Sequence, residues 1–359
     1  MSRPWTIAAA LLLFSAASTR AAWAQQGPAD PERRGFTLSV PLGASPGPVA
    51  PGRVMETLRD NRLGAFAVVN LPRPAREALL NGIRIGSQGN ALRAGTAGGT
   101  EHPDAAADGR IVGGRPANPG ELPWQVALLL AAFNDDHRVA FCGGSLIGER
   151  HVLTAAHCVR SDGIAFGEGD VDVLVGALDY AKRDSGERIK VSGVALHPAY
   201  DENSYEHDLA VLTLDRPAKL GAPIALLPPS LHPLAAGSAL TISGWGYTTN
   251  TGDSSTHLQI ASVPVATSVA CNGAAAHAGR VKADMFCAGL PNGGVDACKG
   301  DSGGPAVYSG PASAPHAPML YGVVSWGAKG RCAAANKYGV YAAVPAAADW
   351  VSQRLGHVP

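Results

Sequence analysis

One serine lies among glycines, directly after an acid and four residues after a cysteine, in the segment Asp296-Ala297-Cys298-Lys299-Gly300-Asp301-Ser302-Gly303-Gly304-Pro305. Glycine lets the backbone turn sharply beside a serine and brings backbone N–H groups close to a bound carbonyl. Such N–H groups stabilise a developing oxyanion, which is usually the largest catalytic contribution in acyl transfer. A Gly-Asp-Ser-Gly-Gly run is also compatible with an ordinary surface turn. Its meaning therefore depends on the segments upstream.

Two upstream segments supply the other groups that a nucleophilic serine needs. His157 lies beside a cysteine in Thr154-Ala155-Ala156-His157-Cys158, and Asp208 begins the apolar run Asp208-Leu209-Ala210-Val211-Leu212. Taken singly, they are compatible with a packed core histidine and a strand-end acid. With Ser302 they form a nucleophile, a base and an orienting carboxylate, in the chain order His, Asp, Ser.

The composition is typical of a folded chain and shows no excess of acidic or basic residues. Hydrophobic residues make up 46% of the 359 residues and charged residues 16%, which favours a sizeable core over disorder. Lys plus Arg and Asp plus Glu both number 29, so we expect no nucleic-acid partner. Function must therefore be inferred from sites.

The first 24 residues have the pattern of a secretory signal peptide. Arg3 precedes a short apolar run over 7–17, and small residues flank Trp23 in Ala22-Trp23-Ala24. A membrane anchor is the alternative, but the run falls short of the roughly 20 residues needed to span a bilayer. We therefore expect cleavage after Ala24, no stable membrane insertion, and a secreted protein, either extracellular or periplasmic.

Residues 25–110 are loose in composition and contain no cysteine. Pro41 to Pro51 indicates an extended linker and Gly95 to Gly109 a flexible one. Apolar residues over 54–85 favour a helix or two, which Pro72 interrupts. We expect a pro-segment or small accessory region of unknown fold.

From Ile111 onward the pattern is that of β-structure. Many short apolar or alternating runs separated by turn residues predict an antiparallel barrel or sandwich. The runs lie at Gln125 to Leu130, Gly144 to Ile147, Val171 to Val175, Leu209 to Leu214, Ala239 to Ser243, Met319 to Val324 and Gly339 to Val344. After Pro345, strong helix formers predict a C-terminal helix over 346–355.

The chain from Ile111 to its end resembles the trypsin-like serine proteases of the chymotrypsin family. The resemblance rests on eight segments, and three of them are the serine segment and the segments quoted above that contain His157 and Asp208. The others are Arg110-Ile111-Val112-Gly113-Gly114, Phe141-Cys142-Gly143-Gly144-Ser145-Leu146-Ile147, Gly244-Trp245-Gly246, Met285-Phe286-Cys287-Ala288-Gly289 and Val324-Ser325-Trp326-Gly327. It implies an all-β fold of two six-stranded antiparallel barrels with a C-terminal helix, as a protease domain over 111–359.

The resemblance also assigns catalytic roles, which are those of the family's known triad. Ser302 attacks the scissile carbonyl, His157 transfers the proton, and Asp208 orients the imidazole with Ser325 as a hydrogen-bonding support. The backbone N–H groups of Gly300 and Ser302 form the oxyanion hole. The implied activity is that of a serine endopeptidase.

The family places the residue six before the nucleophile at the base of the substrate pocket, and here that residue is Asp296. A buried carboxylate needs a cation opposite it, so we expect cleavage after Arg or Lys. Ser325, Trp326, Gly327 and Gly339 match other positions that bind substrate. If Asp296 only capped a turn, an elastase-like or chymotrypsin-like preference would be the alternative.

Activation is implied by the same resemblance. Cleavage between Arg110 and Ile111 would create an α-ammonium that pairs with Asp301 and orders the site. Because the cut follows an arginine, we hypothesise that one molecule can activate another.

All six cysteines follow residue 140, and their even number in an exported chain argues for disulfides, with fifteen possible connectivities. Zinc is the alternative, but no C-x-x-C or H-x-x-x-H spacing is present. The resemblance implies the pairs Cys142–Cys158, Cys271–Cys287 and Cys298–Cys332, and hence a monomer. It implies no cofactor, and we expect no metal, although calcium and sodium sites remain open.

The expected partners are protein or peptide substrates with Arg or Lys at the cleaved position, and possible protein protease inhibitors. A catalytically inactive homologue that acts as a binding protein is the alternative from another class. Such homologues usually lose the serine or the histidine, and this chain has both Ser302 and His157.

Overall fold

A computed structural model describes residues 113–131, 140–161, 164–180, 182, 185–247, 255–327 and 332–356. The expected signal peptide and pro-segment, together with Arg110 and Ile111, lie outside these residues. Strands dominate the described part, as the short apolar runs predict.

Six strands form a closed antiparallel barrel in the order β2-β3-β4-β9-β8-β7. Their bounds are β2 Gln125–Leu130, β3 Ala140–Gly148, β4 His151–Thr154, β7 Val171–Val175, β8 Glu187–Leu196 and β9 Ala210–Leu214. Every residue of β2 and β7 is buried, because a small barrel fills its interior with side chains while loops cover its outer face. Two short strands, β5 (Arg160–Ser161) and β6 (Ile164–Ala165), pair separately.

A second sheet follows the order β1-β12-β11-β14-β15-β16-β13, and β10 pairs with β15. Its strands are β1 Arg115–Pro116, β10 Ala225–Leu226, β11 Ala239–Gly244, β12 Gln259–Pro264, β13 Met285–Ala288, β14 Pro305–Tyr308, β15 Met319–Trp326 and β16 Gly339–Ala343. The six longer strands of this sheet correspond to the predicted second barrel. The strands β1 and β10, of two residues each, bring the sheet to eight strands.

Backbone contacts also join the two ends of these six longer strands. The N–H of Ala266, just after β12, donates to the carbonyl of Cys287 in β13 at 2.8 Å. Gly289 donates in turn to the carbonyl of Pro264 at 2.9 Å. The edges that an open sheet would expose are therefore paired with each other.

The helices of the described residues are short and few. They are α1 (Ala156–Val159), α2 (Ser268–Asn272) and α3 (Ala348–Arg354), with 3₁₀ turns at Pro229–Leu231 and Val344–Ala347. The predicted C-terminal helix is present, but its first turn is 3₁₀, so the α-helix begins at Ala348. Among the described helices, none has the length and the apolar character that a bilayer span requires.

Each sheet encloses apolar side chains, and the two sheets meet along a seam that carries polar contacts. Ser243 of β11 donates to the Gln125 side chain of β2 at 2.6 Å, in a buried position. Gly143 of β3 donates its N–H to the carbonyl of Ser302 at 2.7 Å. The segment before β14 is therefore tied to the closed barrel at the point where the candidate site lies.

Candidate active site

His157 lies in the one-turn helix α1, directly after β4, and is 2% exposed. Its Nδ1 is 2.7 Å from Asp208 Oδ2, and its backbone N–H donates to Asp208 Oδ1 at 2.8 Å. Because an ionised carboxylate only accepts hydrogen bonds, this contact places the ring proton on Nδ1. The other ring nitrogen, Nε2, is thereby left with a lone pair that can accept a proton.

Asp208 precedes β9 and is fully buried. The Ser325 hydroxyl donates to its Oδ2, so the carboxylate accepts three hydrogen bonds in all. Burial by itself raises the pKa of Asp208, but the attraction of His157 and these hydrogen bonds outweigh it, and the pKa lies below its usual value. Asp208 is therefore ionised at neutral pH and can stabilise a charged imidazole.

The backbone before Asp208 is held in an unusual shape. His207 has a φ of 54°, and its N–H donates to the Asp284 carboxylate at 2.6 Å. A non-glycine residue with positive φ is uncommon and needs support from its surroundings. Asp284, which directly precedes β13, provides that support for the residue next to Asp208.

Ser302 lies in a tight loop that is closed on the side chain of Asp301. Asp301 accepts backbone N–H bonds from Gly246 and from Cys298, both at 2.9 Å. It is 1% exposed, and burial raises its pKa to about 6, while the two N–H donors act in the opposite direction. Its partner expected from the resemblance, Ile111, lies outside the described residues.

Gly303 allows the serine loop to pack against the first barrel. Its φ is +80°, and a Cβ there would lie 2.2 Å from Thr154 Oγ1 and 2.5 Å from the carbonyl oxygen of Gly143. Both conditions exclude a larger residue, because backbone conformation and space each require glycine.

We expect Gly303→Ala to lower the free energy of unfolding by about 1–2 kcal/mol for the backbone conformation, and by about 1–3 kcal/mol more for the clash. Gly237→Ala is the matched control, since Gly237 has a φ of +86° but nothing within 4 Å of an added Cβ. Urea unfolding of both variants in a Ser302→Ala background measures the difference. Equal losses in the two variants would contradict the packing argument.

Asp296 lies at the floor of a cleft of about 620 Å³ that also contains Ser302, Ser325 and Trp326. Asp296 is 6% exposed. Its Oδ2 accepts a hydrogen bond from the backbone N–H of Ala333 at 3.3 Å. Its Oδ1 is buried and has no hydrogen-bond partner among the described residues. Burial raises its pKa to about 7, the N–H donors lower it, and the nearby Asp301 raises it further.

Two glycines leave the way to Asp296 open. A Cβ on Gly339 would approach Asp296 Oδ1 to 2.7 Å, so only glycine fits beside the carboxyl. Gly327 is exposed, and no atom of the described residues lies within 4 Å of a Cβ built on it. The lining of the cleft therefore contains a buried carboxyl that is incompletely paired among the described residues.

The structure contains three disulfides, with the pairing that the resemblance implies: Cys142–Cys158, Cys271–Cys287 and Cys298–Cys332. The first links α1, which carries His157, to β3. The third links the serine segment to the residues that follow the cleft wall. The histidine side of the candidate site is thus covalently tied to the closed barrel, and the serine segment is covalently tied to the loop that precedes β16.

Metal-binding geometry occurs in two groups of the described residues, Cys142-His157-Cys158 and Cys271-His277-Cys287. All four cysteines are in disulfides, and a disulfide sulfur is not the thiolate that binds zinc. The residues that leave a calcium site open are Asp179, Asp184 and Glu187, of which Asp184 lies outside the described residues. The Glu187 carboxylate accepts hydrogen bonds from Arg216 and from the N–H groups of Lys219 and Leu220.

The fold brings to the cleft several further residues that were not predicted from the sequence. Tyr205 lies edge-on to the His157 ring, with ring centroids 5.6 Å apart. The others are basic. Arg280, Lys282 and Lys337 lie outside the segments that carry the triad, whereas Lys299 is in the serine segment, three residues before Ser302. No sequence motif marks the first three, because their positions depend on how distant loops pack.

Comparison with known proteins agrees with this fold. Residues 111–351 match the trypsin family. The chain is 41% identical over 251 residues to trypsin 5G1 of Aedes aegypti, covering 69% of this chain and 86% of that protein. It is 35% identical over 250 residues to serine protease 1 of Homo sapiens (69% and 90% covered) and 34% identical over 250 residues to trypsin of Sus scrofa (69% and 96%).

The chain therefore belongs to the trypsin family of serine proteases. Its fold, its hydrolase class and its protein substrates follow from that membership.

Proposed function

We propose that the protein is a secreted serine endopeptidase that hydrolyses peptide bonds after Arg or Lys. The observation that carries this proposal is the buried Asp296 carboxyl at the floor of the cleft that contains Ser302. An unpaired buried carboxylate is costly, and a substrate guanidinium or ammonium that enters the cleft removes that cost.

His157 and Asp208 supply the proton transfers in the proposed mechanism. Ser302 Oγ attacks the scissile carbonyl as its proton moves to His157 Nε2. The imidazolium that forms is stabilised by Asp208, which remains ionised. His157 then gives the proton to the leaving amine, and an acyl-enzyme remains. Water then attacks the acyl-enzyme while His157 accepts its proton. His157 returns a proton to Ser302 Oγ, which releases the acid product and restores the Ser302 hydroxyl.

The oxyanion of the tetrahedral intermediate is bound by the backbone N–H groups of Gly300 and Ser302. Their positions are set by the serine loop, which Asp301 closes by accepting the N–H groups of Cys298 and Gly246. Losing one such donor typically raises the barrier by about 3–4 kcal/mol. The proposed activity therefore depends on the shape of this loop as well as on the triad.

Activation in this proposal occurs by cleavage between Arg110 and Ile111. The new α-ammonium of Ile111 then pairs with Asp301, whose buried carboxyl otherwise has a raised pKa. An adjacent cation lowers the pKa of a carboxyl and favours its ionised form. The cut thus converts an unfavourable buried acid into an ion pair that orders the serine loop.

The remaining parts of the proposal concern the rest of the chain. Residues 1–24 act as the signal peptide, 25–110 as a pro-segment or accessory region, and 111–359 as the protease domain. The protein acts outside the cytoplasm as a monomer, and protein protease inhibitors are further partners. Disulfides of the kind observed are typical of such oxidising compartments.

We predict that the purified Ser302→Ala precursor remains uncut at Arg110, and that a catalytic amount of processed enzyme cuts it. The reason is that the variant lacks the nucleophile, while its cleavage site is intact. N-terminal sequencing over time measures the product that starts at Ile111. An Arg110→Gln, Ser302→Ala double variant is the control and should resist added enzyme. Spontaneous cutting of Ser302→Ala would contradict self-activation.

A covalent labelling experiment tests the proposed activity. The processed enzyme should hydrolyse a small arginine amide, and one equivalent of a fluorophosphonate should abolish this activity while adding its mass to Ser302. A catalytically inactive binding protein, the alternative, would neither turn over the amide nor react at Ser302. That result would overturn the proposal.

A further inference from the structure

Four cations line the cleft in which Ser302 and Asp296 lie. They are Arg280, Lys282, Lys299 and Lys337, and together we name them the basic rim. Among the described residues that line the cleft, Asp296 is the only one with a carboxyl, and it is buried at the floor. The floor of the cleft is therefore acidic and its lining above the floor is basic.

The rim cations contact neutral groups rather than acids. The Arg280 guanidinium carbon lies 4.9 Å from the centre of the Trp326 ring. Lys337 donates to the carbonyl of Ala275 at 2.8 Å, and Lys299 Nζ is 5.9 Å from the Tyr247 ring. In the described part of the chain, no rim residue forms an ion pair with a carboxylate. Among the described residues, the positive charge of the rim is therefore not compensated by a direct ion pair.

A buried contact fixes two of the cations beside the cleft wall. His277 Nε2 lies 2.8 Å from the carbonyl oxygen of Tyr338, and the His277 ring packs edge-on against Trp326 at 4.8 Å. The segment that carries Arg280 is therefore packed against the segment that carries Lys337. Because Trp326 directly precedes Gly327, this packing places positive charge beside the entry to the Asp296 pocket.

The chain itself contains a segment of complementary charge. The ten residues before Ile111 are Glu101-His102-Pro103-Asp104-Ala105-Ala106-Ala107-Asp108-Gly109-Arg110. Three are acidic, and apart from Arg110 none is Lys or Arg. Asp108 is two residues before Arg110, or roughly 7 Å along an extended chain. The next acid after the cut is Glu121, so the negative charge lies on the N-terminal side.

We propose that the basic rim selects substrates with acidic residues shortly before the cleaved Arg or Lys, and that residues 101–110 are a substrate of this class. The inference rests on the proposed activity, because it concerns the same cleft. Opposite charges across a cleft raise both the encounter rate and the selectivity for complementary partners. The same rim disfavours substrates with a second cation near the cleaved residue.

Matched peptides test the proposal on the processed enzyme. The pair is acetyl-Ala-Asp-Gly-Arg and acetyl-Ala-Asn-Gly-Arg, each with a chromogenic amide. Exposed charge pairs of this kind correspond to about 2- to 5-fold in kcat/KM in favour of the aspartate peptide. The ratio should decline toward 1 in 0.5 M salt, because screening at that ionic strength acts over only a few Å. A ratio of 1 at low salt would overturn the proposal.

Variants of rim residues test whether the rim causes the preference for the aspartate peptide. Arg280→Gln and Lys337→Gln should each lower the aspartate-to-asparagine ratio. The ratio is internally controlled, so a general loss of activity from altered packing near Trp326 does not change it. Lys190→Gln removes an exposed lysine of the β8 strand, away from the cleft, and should leave the ratio unchanged. Equal effects of all three variants would contradict a local role of the rim.

The protein substrate gives an independent readout. The Ser302→Ala precursor with Asp108→Asn should be cut at Arg110 by processed enzyme about 2- to 5-fold more slowly than the same precursor with Asp108 intact. Equal rates would overturn the proposal for residues 101–110. If the asparagine peptide is not hydrolysed at all, the proposed activity fails. If it is hydrolysed and aspartate gives no gain, only the rim proposal fails.

Discussion

Asp208→Asn is expected to lower kcat about 10⁴-fold on an arginine amide at neutral pH, a magnitude taken over from the corresponding substitution in related triads. An asparagine amide can turn its NH₂ toward His157 and so favour the wrong imidazole tautomer. The proton would then sit on Nε2, the nitrogen that must accept it from Ser302. The loss arises because, in the unsubstituted enzyme, Asp208 Oδ2 accepts a hydrogen bond from His157 Nδ1–H, with 2.7 Å between the two heavy atoms.

Two further variants separate this effect from a loss of structure. Ser325→Ala removes one of the donors to Asp208 but leaves both contacts to His157, so its effect should be much smaller. Asp215→Asn changes an exposed acid just after the other end of β9 and should leave kcat unchanged. Steady-state kinetics of the three processed variants measure the series. A kcat for Asp208→Asn within tenfold of the unsubstituted enzyme would exclude the proposed role.

Asp296→Asn is expected to reduce kcat/KM for arginine and lysine peptides by about 10²- to 10³-fold. The asparagine has nearly the same shape, so the loss reports the charge. Removing one partner of a buried ion pair typically costs about 3–5 kcal/mol, and each 1.4 kcal/mol is a factor of ten. A matched leucine peptide serves as the control, and its slow hydrolysis should not fall. Parallel losses on both peptides would indicate a structural defect instead.

The pH dependence of cation binding gives a second readout of the same prediction. Burial raises the pKa of Asp296 in the empty cleft to about 7. Below that pH the carboxyl is protonated, so binding of a small alkylguanidinium must release a proton, and affinity falls by up to tenfold per pH unit. Above it, affinity should be flat. Calorimetry on processed Ser302→Ala measures this, and Asp296→Asn should bind weakly without the same pH dependence.

Much of the fold follows from local patterns in the sequence. The Val171–Val175 strand has the predicted bounds, because a short apolar run with turn residues on both sides has few alternatives. The β8 strand, Glu187–Leu196, was not predicted. This strand is only partly buried, and its first four residues include Glu187, Arg188 and Lys190, so no apolar run marks where it begins. Its conformation is determined by pairing with β7 and β9.

In the candidate site, too, some residues could be predicted from the sequence and others could not. His157, Asp208 and Ser302 are recognisable because each lies in a distinctive local segment, and the fold brings the first two into direct contact. The placement of Arg280 beside Trp326 could not be predicted. It depends on the contact between His277 and Tyr338, which are separated by 61 residues, and on the packing of two loops that lack a repeating pattern.

A peptide library varied at the cleaved position, applied to the enzyme whose N-terminus has been sequenced as Ile111, tests the central claim most directly. The account predicts that cleavage follows Arg and Lys, with Leu and Phe peptides at least about 10²-fold slower in kcat/KM. Efficient cleavage after Leu or Phe with no turnover of Arg peptides would contradict the role assigned to the carboxyl of Asp296.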